Sequence, residues 1–186
     1  GGEPYTPEPF CNRGKDTWDL YYGDRKAVNL GISGDRTEHV LWRLDRTDLA
    51  KAHPKVAVVM IGTNNVHFNT APEIVEGIEA VVNKIHAQTP KTKILLLAVF
   101  PRSEPGSEYR LKLTTVNQSL AAWCKTGNAT FLDINSAFLK ANGEIPNSIM
   151  PDKLHPFALG YRKWSMAMES TLAKLLGQHP KTKTNP

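Results

Sequence analysis

The chain has 186 residues, of which 40% are hydrophobic and 22% are charged, and its formal net charge is +5. This length and composition are typical of one folded globular domain and exclude a disordered chain, which needs fewer apolar residues and a larger net charge. No apolar run reaches the ~18 residues of a membrane span, and the basic residues form neither a stripe nor a nucleic-acid motif, so we expect no membrane span and no nucleic-acid partner.

Apolar runs and turn residues predict helices and strands that alternate along the chain. A helix is predicted at Lys15 to Tyr22, and a short apolar strand follows at Ala27 to Ile32. The next predicted elements, in chain order, are a helix at Thr37 to Leu44, a strand at Val56 to Ile61, a helix that opens after Thr70, a strand at Ile94 to Phe100, a helix at Glu108 to Lys125, a strand at Thr130 to Ile134 and a helix at Ala158 to Leu176. Apolar strands that alternate with helices indicate a parallel sheet covered on both faces, which is the α/β class.

Polar and small residues stand where ligands bind in such folds, beyond the carboxyl ends of the strands. Ser33-Gly34-Asp35 follows the first predicted strand, and Gly62-Thr63-Asn64-Asn65 follows the second. Asp152-Lys153-Leu154-His155 lies in the loop ahead of the last helix. We expect the first two turns on one rim of the sheet, with the third segment able to reach it.

Each of these turns has a chemical use. The backbone N–H of Gly34 and the side-chain amide of Asn64 could form an oxyanion hole. The Asp152 carboxylate, three residues before His155, could accept from Nδ1 of the imidazole and leave Nε2 as a base. Taken singly, each has a plain structural explanation: a turn glycine, a capping asparagine and a chance surface pair.

Taken together, these residues resemble the conserved blocks of the SGNH (GDSL) hydrolases. The family's second block is similar to residues 29–37 and 39–44, which read NLGISGDRT and HVLWRL. Its third block resembles Gly62-Thr63-Asn64-Asn65, and its fifth resembles Asp152-Lys153-Leu154-His155. With Pro101-Arg102, the pattern is most similar to the branch that includes the catalytic subunits of platelet-activating-factor acetylhydrolase.

The resemblance implies a flavodoxin-like three-layer α/β/α sandwich with a parallel sheet, and hydrolysis of esters without a metal or other cofactor. Carried over by position, His155 is the general base and Asp152 orients it. The backbone N–H of Gly34 and the side chain of Asn64 stabilise the oxyanion.

One feature of the family is absent from this sequence. The family's nucleophile is the serine of a Gly-Asp-Ser block on the first strand, and no Gly-Asp-Ser occurs here. Ser33 is assigned to a turn, and Ser103 to an exposed loop. We therefore expect the nucleophile upstream of residue 1, so that residues 1–177 form a single domain that lacks its first strand and nucleophile block. Residues 178–186 are predicted to form a polar tail.

The remaining candidate residues carry smaller expectations. His67 follows the Asn64 turn and could line the mouth of a cleft, whereas His39 is interpreted as a packing or helix-surface residue. Cys11 and Cys124 could pair or remain as free thiols, so they do not distinguish an exported from a cytoplasmic protein.

The leading hypothesis is a serine esterase that hydrolyses short-chain, most simply acetyl, esters of a carbohydrate, a lipid or a small alcohol. The expected partner is a small-molecule ester, and the expected state is a monomer or homodimer. One alternative is a non-catalytic protein of this fold that binds a carbohydrate or another ligand and has lost its nucleophile. Another is an acyltransferase, in which a sugar hydroxyl replaces water.

Overall fold

The computed structural model describes residues 13–181 of the chain. Contacts divide these residues into two compact units: one holds 13–33, Pro101–Pro105 and 134–181, and the other holds Gly34–Phe100 and Gly106–Asp133. Residues 1–12, which include Cys11, lie outside the described residues, as do residues 182–186 of the predicted tail.

Five α-helices and three β-strands form within residues 13–181. The helices are α1 (Lys15–Tyr22), α2 (Thr37–Leu44), α3 (Ala71–Gln88), α4 (Glu108–Cys124) and α5 (Ala158–Leu176). The strands are β1 (Val56–Val59), β2 (Lys93–Leu97) and β3 (Thr130–Leu132). All five predicted helices are confirmed, with only the end of α4 moved by one residue. None of the helices described is long and apolar enough to cross a membrane.

The sheet lies in the unit formed by Gly34–Phe100 and Gly106–Asp133. Its strands are parallel in the order β1-β2-β3, as Val58 aligns with Leu95 and Leu96 aligns with Phe131. The central strand is buried from Ile94 to Leu97, and only its first residue, Lys93, is exposed. Its core partners come mainly from α3 and α4 and include Ile74, Ile78, Val82, Val116 and Leu120. Parallel strands end on the same rim, so the turn after β1 emerges where β2 ends.

All three observed strands are shorter than predicted, and the ending of β2 shows why. The backbone N–H of Ala98 still donates to Leu132 O at 3.0 Å. One residue later, the buried side chain of Asn117 on α4 takes over: Val99 N donates to its Oδ1 at 2.8 Å, and its Nδ2 donates to Val99 O at 2.9 Å. The apolar run continues to Phe100, but its backbone leaves the sheet because a side chain replaces the neighbouring strand.

The predicted strand at Ala27 to Ile32 is wrong. These residues form no strand, and Val28, Leu30 and Ile32 are 75%, 50% and 51% exposed. An apolar run favours a strand, but a strand also needs a neighbour to complete its hydrogen-bond ladder. No such ladder forms for this segment among the described residues, so the sheet there has three strands rather than four.

In the other unit, α1 packs against α5 around a buried ion pair. The guanidinium of Arg25 donates to both oxygens of Glu169, at 2.8 and 2.6 Å, and these side chains are 6% and 5% exposed. The chain beyond α5 joins the same group, because Lys181 N donates to Glu169 at 2.8 Å. Tyr22 adds a hydrogen bond to Ser165 at 2.9 Å. The chain that follows α5 is therefore anchored to this unit as far as Lys181.

Candidate active site

The loop before α5 holds Asp152 and His155 in hydrogen-bond contact, as the sequence predicts. Oδ2 of Asp152 lies 2.6 Å from Nδ1 of His155. Its other oxygen accepts the backbone N–H groups of Leu154 and His155 at 3.0 and 2.8 Å. One carboxylate thus organises both the turn and the imidazole.

The charge state of Asp152 decides what the imidazole can do. Partial burial pushes the pKa of this carboxyl upward, but hydrogen bonds from His155 and from the Leu154 N–H outweigh that effect, so its pKa lies below the ordinary value. An ionised carboxylate can only accept a hydrogen bond, so Nδ1 carries the ring proton. The lone pair then sits on Nε2, as a general base requires.

In the unit that contains the sheet, Asn64 lies against the turn that holds Gly34. Asn64 belongs to a 3-10 turn, Thr63–His67, that follows β1, and its Nδ2 donates to Asp35 O at 2.9 Å. The amide nitrogen has a second hydrogen. Gly34 has a φ of +82°, a backbone conformation that favours glycine. A Cβ added at this position would meet no atom within 4 Å, so the requirement for glycine comes from the backbone conformation. Asn64 is therefore hydrogen-bonded to the residue next to Gly34, which is the other predicted oxyanion donor of this unit.

Asn65, which sequence reasoning left without a role, fixes this arrangement. Its side chain is buried, at 2% exposure, and accepts from the Thr37 N–H at 3.1 Å. Its Nδ2 lies within hydrogen-bond distance of Thr37 Oγ1, Glu38 Oε2 and Asn69 Oδ1, at 3.2, 3.2 and 2.9 Å. The turn after β1 is thereby tied to the start of α2. The sequence shows two adjacent asparagines shortly after an apolar strand, and this pattern does not indicate which of them, Asn64 or Asn65, is the buried structural residue.

Close packing of helices supports the same junction. A Cβ at Gly77 of α3 would lie 2.5 Å from Thr37 Oγ1, so only glycine permits this approach. On the other side of the turn, Lys112 of α4 donates to Val66 O and Asn69 O at 2.8 and 3.0 Å. Helices α3 and α4 therefore both contact the junction between α2 and the turn that contains Asn64.

The other predicted residues near these turns have structural contacts. Nδ1 of His39 accepts from the Arg36 N–H at 3.2 Å, which makes it a capping residue on the surface of α2. His67 meets the Tyr109 ring edge-on, with centroids 4.5 Å apart. Phe68, the next residue, is 70% exposed, and the guanidinium of Arg36 lies over its ring. Cys124 is buried, which raises the pKa of its thiol.

Comparisons of the sequence give one consistent family. The model of the GDSL-like lipase/acylhydrolase family matches residues 1–163. Platelet-activating factor acetylhydrolase IB subunit alpha2 of Rattus norvegicus is 40% identical over 169 residues, which cover 90% of this chain and 73% of the relative. Subunit alpha1 of Homo sapiens is 37% identical over 164 residues, covering 88% and 71%.

Comparisons of the structure identify the same fold. A GDSL-like lipase from Bacteroides thetaiotaomicron matches with a TM-score of 0.71 at 20% identity, covering 86% of this chain and 83% of its own. An acetylxylan esterase from Geobacillus stearothermophilus matches with a TM-score of 0.67 at 19% identity, covering 91% and 81%. The three-layer α/β/α fold is therefore confirmed, and the chain belongs to the GDSL-like lipase/acylhydrolase family.

Proposed function

We propose that this protein is a serine esterase that removes short acyl groups, most simply acetyl, from a carbohydrate, a lipid or a small alcohol. The observation that carries the proposal is the Asp152–His155 hydrogen bond of 2.6 Å, which directs the proton to Nδ1 and the lone pair to Nε2. A histidine in that tautomer, held by a carboxylate, is the usual base of a serine hydrolase.

The proposed reaction has two halves. A serine Oγ attacks the ester carbonyl while His155 Nε2 takes its proton and then passes it to the leaving alcohol. The Gly34 N–H and the Asn64 amide would hold the negative oxygen that develops. Water then attacks the acyl-serine with His155 again as base, releasing the acid and restoring the serine. If a sugar hydroxyl replaces water in the second half, the same residues carry out acyl transfer.

The nucleophile is proposed to lie in a Gly-Asp-Ser segment outside the 186 residues, on a strand beside β1. The edge position of β1 in the sheet of the described residues supports this, together with the 40% exposure of Val58 in the middle of that apolar strand. A parallel strand paired there would end on the same rim as the turn that carries Asn64.

The lack of a Gly-Asp-Ser within the printed sequence favours a second candidate, a ligand-binding protein without esterase activity. Hydrolysis of p-nitrophenyl acetate by the full-length protein separates the two. The esterase proposal predicts turnover that is lost in His155→Gln and retained in His179→Gln, a matched change at an exposed histidine. Equal turnover by the two variants would remove His155 as the base, and no turnover by the unaltered protein would support the binding protein instead.

A further inference from the structure

Lys153, between Asp152 and His155, has an unusual backbone conformation. Its φ is +58°, a left-handed value that is unfavourable for any residue with a side chain. Ser103 also has a φ of +58°, and its N–H donates to Lys153 O at 3.0 Å. Two strained residues from separate loops of one unit thus meet beside the candidate base.

The side chain of Lys153 ties this turn to the core. Its ammonium donates to Ile145 O at 2.7 Å and to Asn147 Oδ1 at 2.8 Å. Its backbone N–H donates to Met150 O at 3.0 Å. Ile145 and Met150 are 1% and 0% exposed, so two of the three anchor points lie in the interior of the unit, whereas Asn147 is exposed.

The Asp152–His155 pair needs such an anchor because it is open to solvent. The two side chains are 41% and 50% exposed, and an exposed pair of this kind contributes little stability by itself. Both backbone N–H groups that Asp152 accepts come from residues just after Lys153. A turn that relaxed at Lys153 would therefore release the carboxylate from its backbone donors and the imidazole from the carboxylate.

We propose that Lys153 is a positioning residue, whose ammonium holds the left-handed turn that presents His155 in its Nδ1–H tautomer. The inference rests on the proposed esterase function for its catalytic consequence, but the geometry itself can be measured without turnover.

The test is long-range 1H–15N NMR of the His155 ring in the full-length protein, at a pH where the imidazole is neutral. We expect the Nδ1–H tautomer in the unaltered protein and in Lys153→Arg, which keeps a cationic donor. Lys153→Met should give the mixed tautomers of a solvent-exposed imidazole. Asn147→Ala removes an exposed acceptor of Lys153 and should give a smaller fraction of the second tautomer than Lys153→Met does. Lys174→Met, at an exposed lysine on α5, is the control.

Kinetics distinguish this inference from the proposed function. We expect Lys153→Met to lower kcat by about tenfold to a hundredfold with little change in KM, since misplacement by about 1 Å has effects of that size. An unchanged tautomer in both Lys153→Met and Asn147→Ala would overturn the positioning role. A shifted tautomer in a protein with no esterase activity would leave the positioning role standing and remove the proposed function.

Discussion

Replacing Asn65 with alanine should cost the sheet-containing unit about 3 kcal/mol of unfolding free energy. The dominant contribution is the Thr37 N–H at the first turn of α2, which loses its acceptor while Thr37 remains only 5% exposed. A buried donor without a partner costs about 1–3 kcal/mol. The Nδ2 contacts with Thr37, Glu38 and Asn69 also disappear, but the side chain of Glu38 is half exposed and can turn to water.

The assay is urea unfolding followed by circular dichroism and by tryptophan fluorescence, to check that both probes report one transition. Asn69→Ala is the matched control, because Asn69 is half-buried and shares only one of these hydrogen bonds with Asn65. We expect that control to lose less than about 1 kcal/mol. Two variants of equal stability would refute the assignment of Asn65 as the junction between the β1 turn and α2.

Three other predictions concern the candidate site and the unit that contains α1 and α5. Asn64→Ala in the full-length enzyme should lower kcat by about 10²- to 10³-fold, the loss for one oxyanion donor, and an unchanged kcat would remove Asn64 from the mechanism. Arg25→Met should cost about 3–5 kcal/mol in thermal or urea unfolding, because it leaves the buried Glu169 carboxylate without its guanidinium; a loss below about 1 kcal/mol would contradict this. The carboxyl of Asp152, followed by 13C NMR, should titrate below its ordinary pKa of about 3.8, so that its contribution to stability is present above that pH and is lost as the pH falls through the lowered pKa. In His155→Ala, the pKa of Asp152 should return toward 3.8, and the same titration in both proteins would refute the contact.

The helices were predictable because each carries its own signals. α3 begins at a Thr70–Glu73 capping box, with Thr70 N donating to Glu73 at 2.7 Å, and α5 ends at Gly177 in the left-handed region. Both patterns are local, so tertiary contacts change little about where the helix starts or stops.

The strands were less predictable because their limits depend on partners distant in the sequence. The segment at Ala27 to Ile32 has the composition of a strand but has no ladder among the described residues. Strand β2 ends where Asn117, from the following helix, takes its hydrogen bonds. The apolar pattern of a segment shows neither whether a neighbouring strand is available nor which side chain ends the ladder.

The same difference between local and distant contacts applies to the candidate site. The contact between Asp152 and His155 was predictable because three residues separate them and a tight turn suffices. The role of Asn65 depends on Thr37, 28 residues away, and the turn at Lys153 accepts a hydrogen bond from Ser103 of a separate loop. Sequence spacing contains no signal for either contact, so both emerge only from the packed structure.

The proposed nucleophile is tested most directly by labelling the full-length protein with a fluorophosphonate and mapping the modified peptide. We predict a single label on the serine of a Gly-Asp-Ser segment outside the 186 residues, and loss of that label in His155→Ala but not in His179→Ala. A label on Ser33 or Ser103, or labelling that does not depend on His155, would contradict the account.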